Sequence, residues 1–241
     1  MALNWNDSSL ENTKTKKKGN FMPQTDEIKK QKIVDQLTWD DSVDANSIQV
    51  KVSGDKALLE GKVPNYATKI SAGTDANMIA GINQVENNLI VDIPITSNLP
   101  DDGEIIDNIM TILKLQSNVS TQNLKVESHE GIVTLFGKTE TLWGKNKAEE
   151  IVNDVHGVLG VVNKLEVELS RTVIDLEIEN DIKAAFERSA IIDEDKIKVD
   201  VNKSTVHLTG AVTSFPIKKE AIDIATYTKG VINVIGDITI E

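Results

Sequence analysis

ALLEGKV (57–63), IVTLFGKT (132–139) and TVHLTGAV (205–212) are one strand written three times. Each places apolar residues at the period of two expected of a half-buried strand, and each carries a late glycine: Gly61, Gly137 and Gly210. These glycines are 76 and then 73 residues apart, and a second glycine follows each at +20, giving Gly81, Gly157 and Gly230. The same two offsets carry Ile33 to Ile109 to Ile182, Ile48 to Leu124 to Ile197, and Val85 to Val161 to Val234. A fixed period of this length identifies repeated units, so the 241 residues are read as three copies of one small domain.

Working outward from the glycine strand, each copy predicts the same order of elements. A helix comes first: Ile105, Ile109, Ile112 and Leu113 share one helical face, as do Ile178, Ile182, Ala185 and Phe186. The first copy uses Ile33, Val34 and Leu37 but has Lys29 where the others have Ile105 and Ile178. Asp26, Asp102 and Asp175 fall near the helix starts, suited to N-capping or to the first-turn dipole. A short alternating strand follows (Ile48, Val50 and Val52 in the first copy), then a turn and the glycine strand. The late glycine there predicts a bulge or a close backbone approach.

A second helix fills the +20 interval. Its apolar positions include Leu142, Ala148, Ile151 and Val152 in the second copy, and Phe215, Ala221, Ile224 and Ala225 in the third. The first copy has Gly73 in mid-helix, where glycine costs about 1 kcal/mol relative to alanine. It also has Asp75 where the others have isoleucine. Gly81, Gly157 and Gly230 suit the left-handed residue just past a helix. A third strand closes each unit, and two helices on a three-stranded sheet can bury a common core. The fold class is therefore α+β: three tandem two-layer modules, each helix-strand-strand-helix-strand.

The modules are placed at residues 26–94, 101–169 and 174–241. Residues 1–25 are expected to be a disordered arm, polar and with a basic cluster at Lys14, Lys16, Lys17 and Lys18. The first connection, Ile95 to Asp102, directly follows Pro94, contains Pro100 and reads as a linker, whereas Glu168 to Glu177 leaves little slack. Modules 2 and 3 should thus be held more firmly than 1 and 2.

The unit resembles the BON domain, named for bacterial osmotically inducible and nodulation proteins. The matching features are V-x-V before a turn, L-x-G-x-V (Leu59–Val63, Leu135–Thr139, Leu208–Val212), the helix positions Ala221, Ile224 and Ala225, and G-V-x-x-V-x-N (Gly157–Asn163). Module 2 departs at Thr139, module 3 at Gly236 where the others have Asn87 and Asn163, and module 1 at Asp75. The resemblance implies a non-enzymatic module associated with envelope or osmotic stress, with phospholipid or membrane attachment, and with accessory roles in secretin-like or channel-like proteins. It supplies no catalytic residues.

Composition narrows the classes further. With 38 acidic and 26 basic residues the formal charge is −12, and the three module segments (26–94, 95–170, 171–241) carry −4, −6 and −4. A nucleic-acid partner is not expected, since it would want a basic footprint. No cysteine is present, so there is no thiolate nucleophile, disulfide or cysteine zinc site. His129, His156 and His207 fall in three different contexts, and the acidic runs lack the spacing of a calcium loop. Neither metal nor cofactor is expected, and the protein is read as not an enzyme.

The expected role is binding or scaffolding, with membrane phospholipid as the leading ligand and a protein partner or self-assembly as the alternative. Candidate contact residues are the basic arm, Trp143, Lys145, Lys147, Lys218 and Lys219; the six repeated glycines are expected to be structural. The opening residues hold no apolar run of signal type and no stretch reaches membrane-spanning length, so the expected location is cytoplasmic, peripheral to a membrane at most.

Overall fold

The computed structural model describes residues 26–93, 99–116, 124–170 and 173–240. Module 1 runs α1 (Asp26–Trp39), β1 (Ile48–Ser53), β2 (Lys56–Val63), α2 (Tyr66–Asn77) and β3 (Gln84–Val91). Module 2 repeats this as α3 (Asp102–Leu115), β4 (Leu124–His129), β5 (Ile132–Thr139), α4 (Leu142–Asn153) and β6 (Gly160–Val167). Module 3 comprises α5 (Asp175–Arg188), β7 (Ile197–Asn202), β8 (Thr205–Val212), α6 (Phe215–Tyr227) and β9 (Asn233–Ile240). The strands form three separate sheets, each with its glycine strand in the centre. The first pair in each sheet is an antiparallel hairpin. The third strand runs parallel to the centre, a pairing that needs a crossover, and the second helix supplies it.

Every module encloses its own core. In module 2 the face predicted for α3 is buried through Ile105, Ile109 and Leu113, against Val133, Leu135, Ala148, Val152 and Leu165. Removing one such side chain from water contributes about 1.5–3 kcal/mol. Small Ala148 and Ala221 let the second helix lie close to the sheet, and both are fully buried.

The late strand glycines make a close approach and not a bulge: the hairpin pairing ends at Ile48↔Gly61 and Ile197↔Gly210, and the register to the third strand runs unbroken through Gly61↔Leu89 and Gly210↔Ile238. A Cβ on Gly61 would lie 2.1 Å from the Ser47 carbonyl oxygen, and one on Gly210 would lie 2.0 Å from that of Lys196. These carbonyls belong to short 3₁₀ turns, Ala45–Ser47 and Glu194–Lys196, that the sequence reading did not anticipate. Gly81, Gly157 and Gly230 turn the chain after the second helix with φ of 85°, 92° and 93°.

The helix-start aspartates do more than face a dipole. The cap of α3 is Asp101, in a reciprocal capping box with Glu104. Asp102, one residue later, accepts hydrogen bonds from the backbone N–H of Glu130 (2.9 Å) and Gly131 (3.0 Å) and from the Ser128 hydroxyl. Asp175 likewise accepts from Lys203 and Ser204, and Asp26 from Gly54. The first helix of each module is thereby clasped to its hairpin turn, and these donors hold the Asp102 carboxyl below the ordinary carboxylate range.

Gly73 also changes meaning in three dimensions. The Asn87 amide donates to the Lys69 carbonyl at 2.6 Å, tying β3 to α2, and a Cβ at position 73 would sit 2.8 Å from that amide nitrogen. Asn163 makes the same bond to Lys145 and a second to Glu149. In module 3 the arrangement is inverted: Gly236 leaves room for Ile222, whose Cδ1 would be 2.8 Å from a Cβ there. Lys218 reaches the Ile238 carbonyl at 2.7 Å and takes over the strand-to-helix tie.

Candidate functional site at the seam of modules 2 and 3

The seam is built by the first residue of α4. Thr141 caps this helix by accepting from the Gly144 N–H at 3.0 Å, and the next residue, Leu142, is buried within the core cluster of module 3. Val167, near the end of β6, packs against the same cluster. The seam of modules 1 and 2 is lighter: Tyr66, the equivalent of Leu142, is only partly buried where it packs on the core of module 2.

With Leu142 planted, Trp143 stands partly exposed at the lip of a cleft of about 570 Å³. One wall comes from module 2 and the connection (Glu140, Thr141, Trp143, Leu169, Ser170, Val173); the other is the end of α6 and the turn after it, Thr226 to Val231. Tyr227 is 64% exposed on that wall, and Lys229 is two residues beyond. Gly230 lets the turn fold back, and a Cβ on it would lie 2.7 Å from that of Val173. The cleft thus offers an apolar floor, two amphipathic rings at the rim, and one charge of each sign in Lys229 and Glu140. The corresponding cleft between modules 1 and 2, about 500 Å³, is lined by Asp92, Asp101, Asp102 and Glu130 and has no aromatic lining residue.

The other candidate lysines are not gathered there. Lys147 pairs with Glu150, Lys219 with Asp223, and Lys218 is committed to the Ile238 carbonyl. The Asp223 carboxylate raises the Lys219 ammonium above its ordinary range. The Lys145 carbonyl anchors Asn163. Lys14, Lys16, Lys17 and Lys18 lie outside the described residues. Of the residues singled out from the sequence, Trp143 lines this cleft; Tyr227 and Lys229, which line it too, are not among them. Position 227 is Met78 and Asp154 in the other modules, so nothing in the repeat marks it.

The second departure of module 1 is a buried polar group. Asp75, 7% exposed, accepts from Gln36 Nε2 at 3.2 Å, while its other oxygen has no hydrogen-bond partner. Burial, and after it the neighbouring Asp40 carboxylate, raises the Asp75 carboxyl above its ordinary range. Among the described residues no cluster of three or more His, Cys, Asp or Glu side chains could hold a metal ion, and no helix is long and apolar enough to cross a membrane.

The three modules match the sequence profile of the BON domain at residues 25–92, 101–168 and 174–241. The chain belongs to the BON domain family. Osmotically-inducible protein Y of Escherichia coli (strain K12) is 26% identical over 147 residues, 58% of this chain and 73% of that protein. Outer membrane lipoprotein DolP of Haemophilus influenzae is 30% identical over 108 residues, 44% of this chain and 55% of that one. Among solved structures, the C-terminal domain of CdsD, a structural protein of the type III secretion system of Chlamydia trachomatis, aligns over 91% of this chain and all of that domain. Its identity is 14% and the TM-score is 0.26.

Proposed function

We propose that this BON protein is a non-enzymatic binding and scaffold protein of an envelope or osmotic-stress process, meeting phospholipid headgroups, peripherally, through the cleft between modules 2 and 3. The observation that carries the reading is the joint placement of Trp143, Tyr227 and Lys229 on one cleft. Tryptophan and tyrosine settle at the headgroup level of bilayers because one end of each ring system is apolar and the other polar, and lysine supplies a charge for phosphate. The relatives, named for osmotic induction and for the outer membrane, support the setting.

All three module segments are acidic, so general electrostatic adhesion opposes the reading and binding should depend weakly on salt. Flotation with phosphatidylcholine vesicles, with and without phosphatidylglycerol, tests it. Wild type should float, and Trp143→Ala/Tyr227→Ala should remain in the dense fraction. Equal flotation of the two, or none by wild type, refutes it. Deleting residues 1–25 in the same assay measures the share of the basic arm.

A protein partner is the second reading, favoured by one observation. The sheet face of module 2 turned away from its helices exposes Ile132 (44%) and Val162 (41%) near Phe136, whose ring lies 5.2 Å from the Lys164 ammonium.

A further inference from the structure

Each of the first two modules gives its successor the same contact. Tyr66 packs on the core of module 2 and Leu142 enters that of module 3; each is the first residue of its module's second helix. At the better-formed seam the part of module 3 that faces module 2 across the cleft is the end of the second helix and its glycine turn, Thr226 to Val231. The contact joins unlike faces, and a heterologous contact of this kind does not consume the array's two outer faces.

The equivalents of both faces are present among the described residues of modules 1 and 3. Phe215 is the third member of the series Tyr66, Leu142, Phe215; it is partly exposed and, among the described residues, belongs to none of the three core clusters. The equivalent stretch of module 1 is Asn77 to Ile82. Met78, at the position of Tyr227, is 41% exposed on it. In modules 2 and 3 the glycine turn is covered partly by the preceding connection: a Cβ on Gly157 would meet Pro100 and Ile105, and one on Gly230 would meet Val173 and Ile178. At Gly81 the neighbour is Lys29, whose ammonium donates to the carbonyls of Gly54 (2.8 Å) and Gly81 (3.1 Å). Among the described residues, the Lys29 side chain is what covers this turn in module 1.

We propose that a second copy of the chain continues the array head to tail, its Phe215 docking on the Met78–Ile82 wall of module 1. The partner is argued from continuity with the two internal seams. This seam is weaker than they are, for three reasons. Lys29 replaces an isoleucine; each copy carries −12 and repels the next; and the connection that gives the internal seams an effective concentration of about millimolar is missing. Association is therefore expected only at high protein concentration and should strengthen as salt screens the repulsion.

The experiment is sedimentation of the full chain at rising concentration in low and high salt, beside Phe215→Asp and Met78→Asp. Wild type should rise above 26.4 kDa without a plateau at two copies, since the contact is open-ended. Each variant alone should stay monomeric. Mixed, they should form pairs and stop there, because only the Phe215 of one and the Met78 of the other remain. Lys29→Ile should lower the concentration needed at least tenfold, which keeps the test valid should Phe215→Asp impair folding. Monomers throughout, including Lys29→Ile, would overturn the proposal. So would variants that associate like wild type, or a mixture of folded variants that does not pair.

Discussion

Gly157→Ala is a local test of how the modules are closed. Gly157 has φ of 92°, a conformation that costs an L-residue roughly 1–2 kcal/mol. The added Cβ would lie 2.6 Å from Pro100 Cγ and 3.0 Å from Ile105 Cδ1. Ile105 is 2% exposed within the core and Pro100 is held between two modules, so relief requires repacking, typically about 1–3 kcal/mol. The sum is about 2–5 kcal/mol, placed in module 2. Gly54→Ala is the control: φ is 63°, but a Cβ there meets nothing within 4 Å, which leaves only the backbone cost of about 1–2 kcal/mol. Three modules need not unfold together, so the measurement is hydrogen exchange resolved by segment. Amides of α4 and β6 should exchange about 30-fold to a few thousand-fold faster in Gly157→Ala, at about 1.4 kcal/mol per tenfold, and those of modules 1 and 3 much less. If Gly157→Ala loosens module 2 no more than Gly54→Ala loosens module 1, the crowding argument fails.

Other substitutions probe the departures between modules. Asp75→Asn should flatten the pH dependence of module 1. The raised folded-state value means that the stabilisation by the protonated carboxyl is complete below the unfolded value and is lost as pH rises through the raised one; a wild-type melting profile flat from acid to neutral pH would refute this. Asp75→Ile, copying Ile151 and Ile224, should stabilise module 1 at neutral pH by roughly 1–3 kcal/mol in denaturant titrations, since it removes a buried acceptor left without a partner. Asp102 works in the opposite sense: its lowered value contributes stability above the unfolded value that disappears as pH falls through the folded one. Asp102→Asn should therefore shrink the acid limb of module 2, and an unchanged limb would count against the clasp. Gly236→Asn should destabilise module 3 by about 1–3 kcal/mol, and adding Ile222→Gly should recover part of that loss in a double-mutant cycle; additive effects would mean that the two positions do not share space.

The fold was legible in the residues because three aligned copies cancel local ambiguity. Ile33, Ile109 and Ile182 at one position of the repeat settle a helical face that Lys29 and Ile28 leave blurred in module 1 alone. Legibility ended where side chains from separate elements meet. Gly73 reads as a weak point in a helix until the Asn87 amide is seen occupying the space it leaves. Lys218 and Lys219 read as surface charges free for phosphate, since a carbonyl on β9 and the carboxylate of Asp223 are visible only in the packed module. Trp143 could be singled out as a large residue outside the repeat. Tyr227 and Lys229 could not, because their meaning comes from lying across a seam from Trp143.

Tandem domains of similar sequence run a particular hazard during folding: the helix of one can pack on the strand of its neighbour. The second helix and third strand of each module meet through a different matched pair, Gly73 with Asn87, Glu149 with Asn163, and Ile222 with Gly236. Placing α6 on β3 would drive Ile222 into an asparagine, and placing α2 on β9 would set glycine against glycine and leave a void. The three pairs therefore act as keys, so that a nascent chain carrying three near-identical blueprints rejects crossed assemblies.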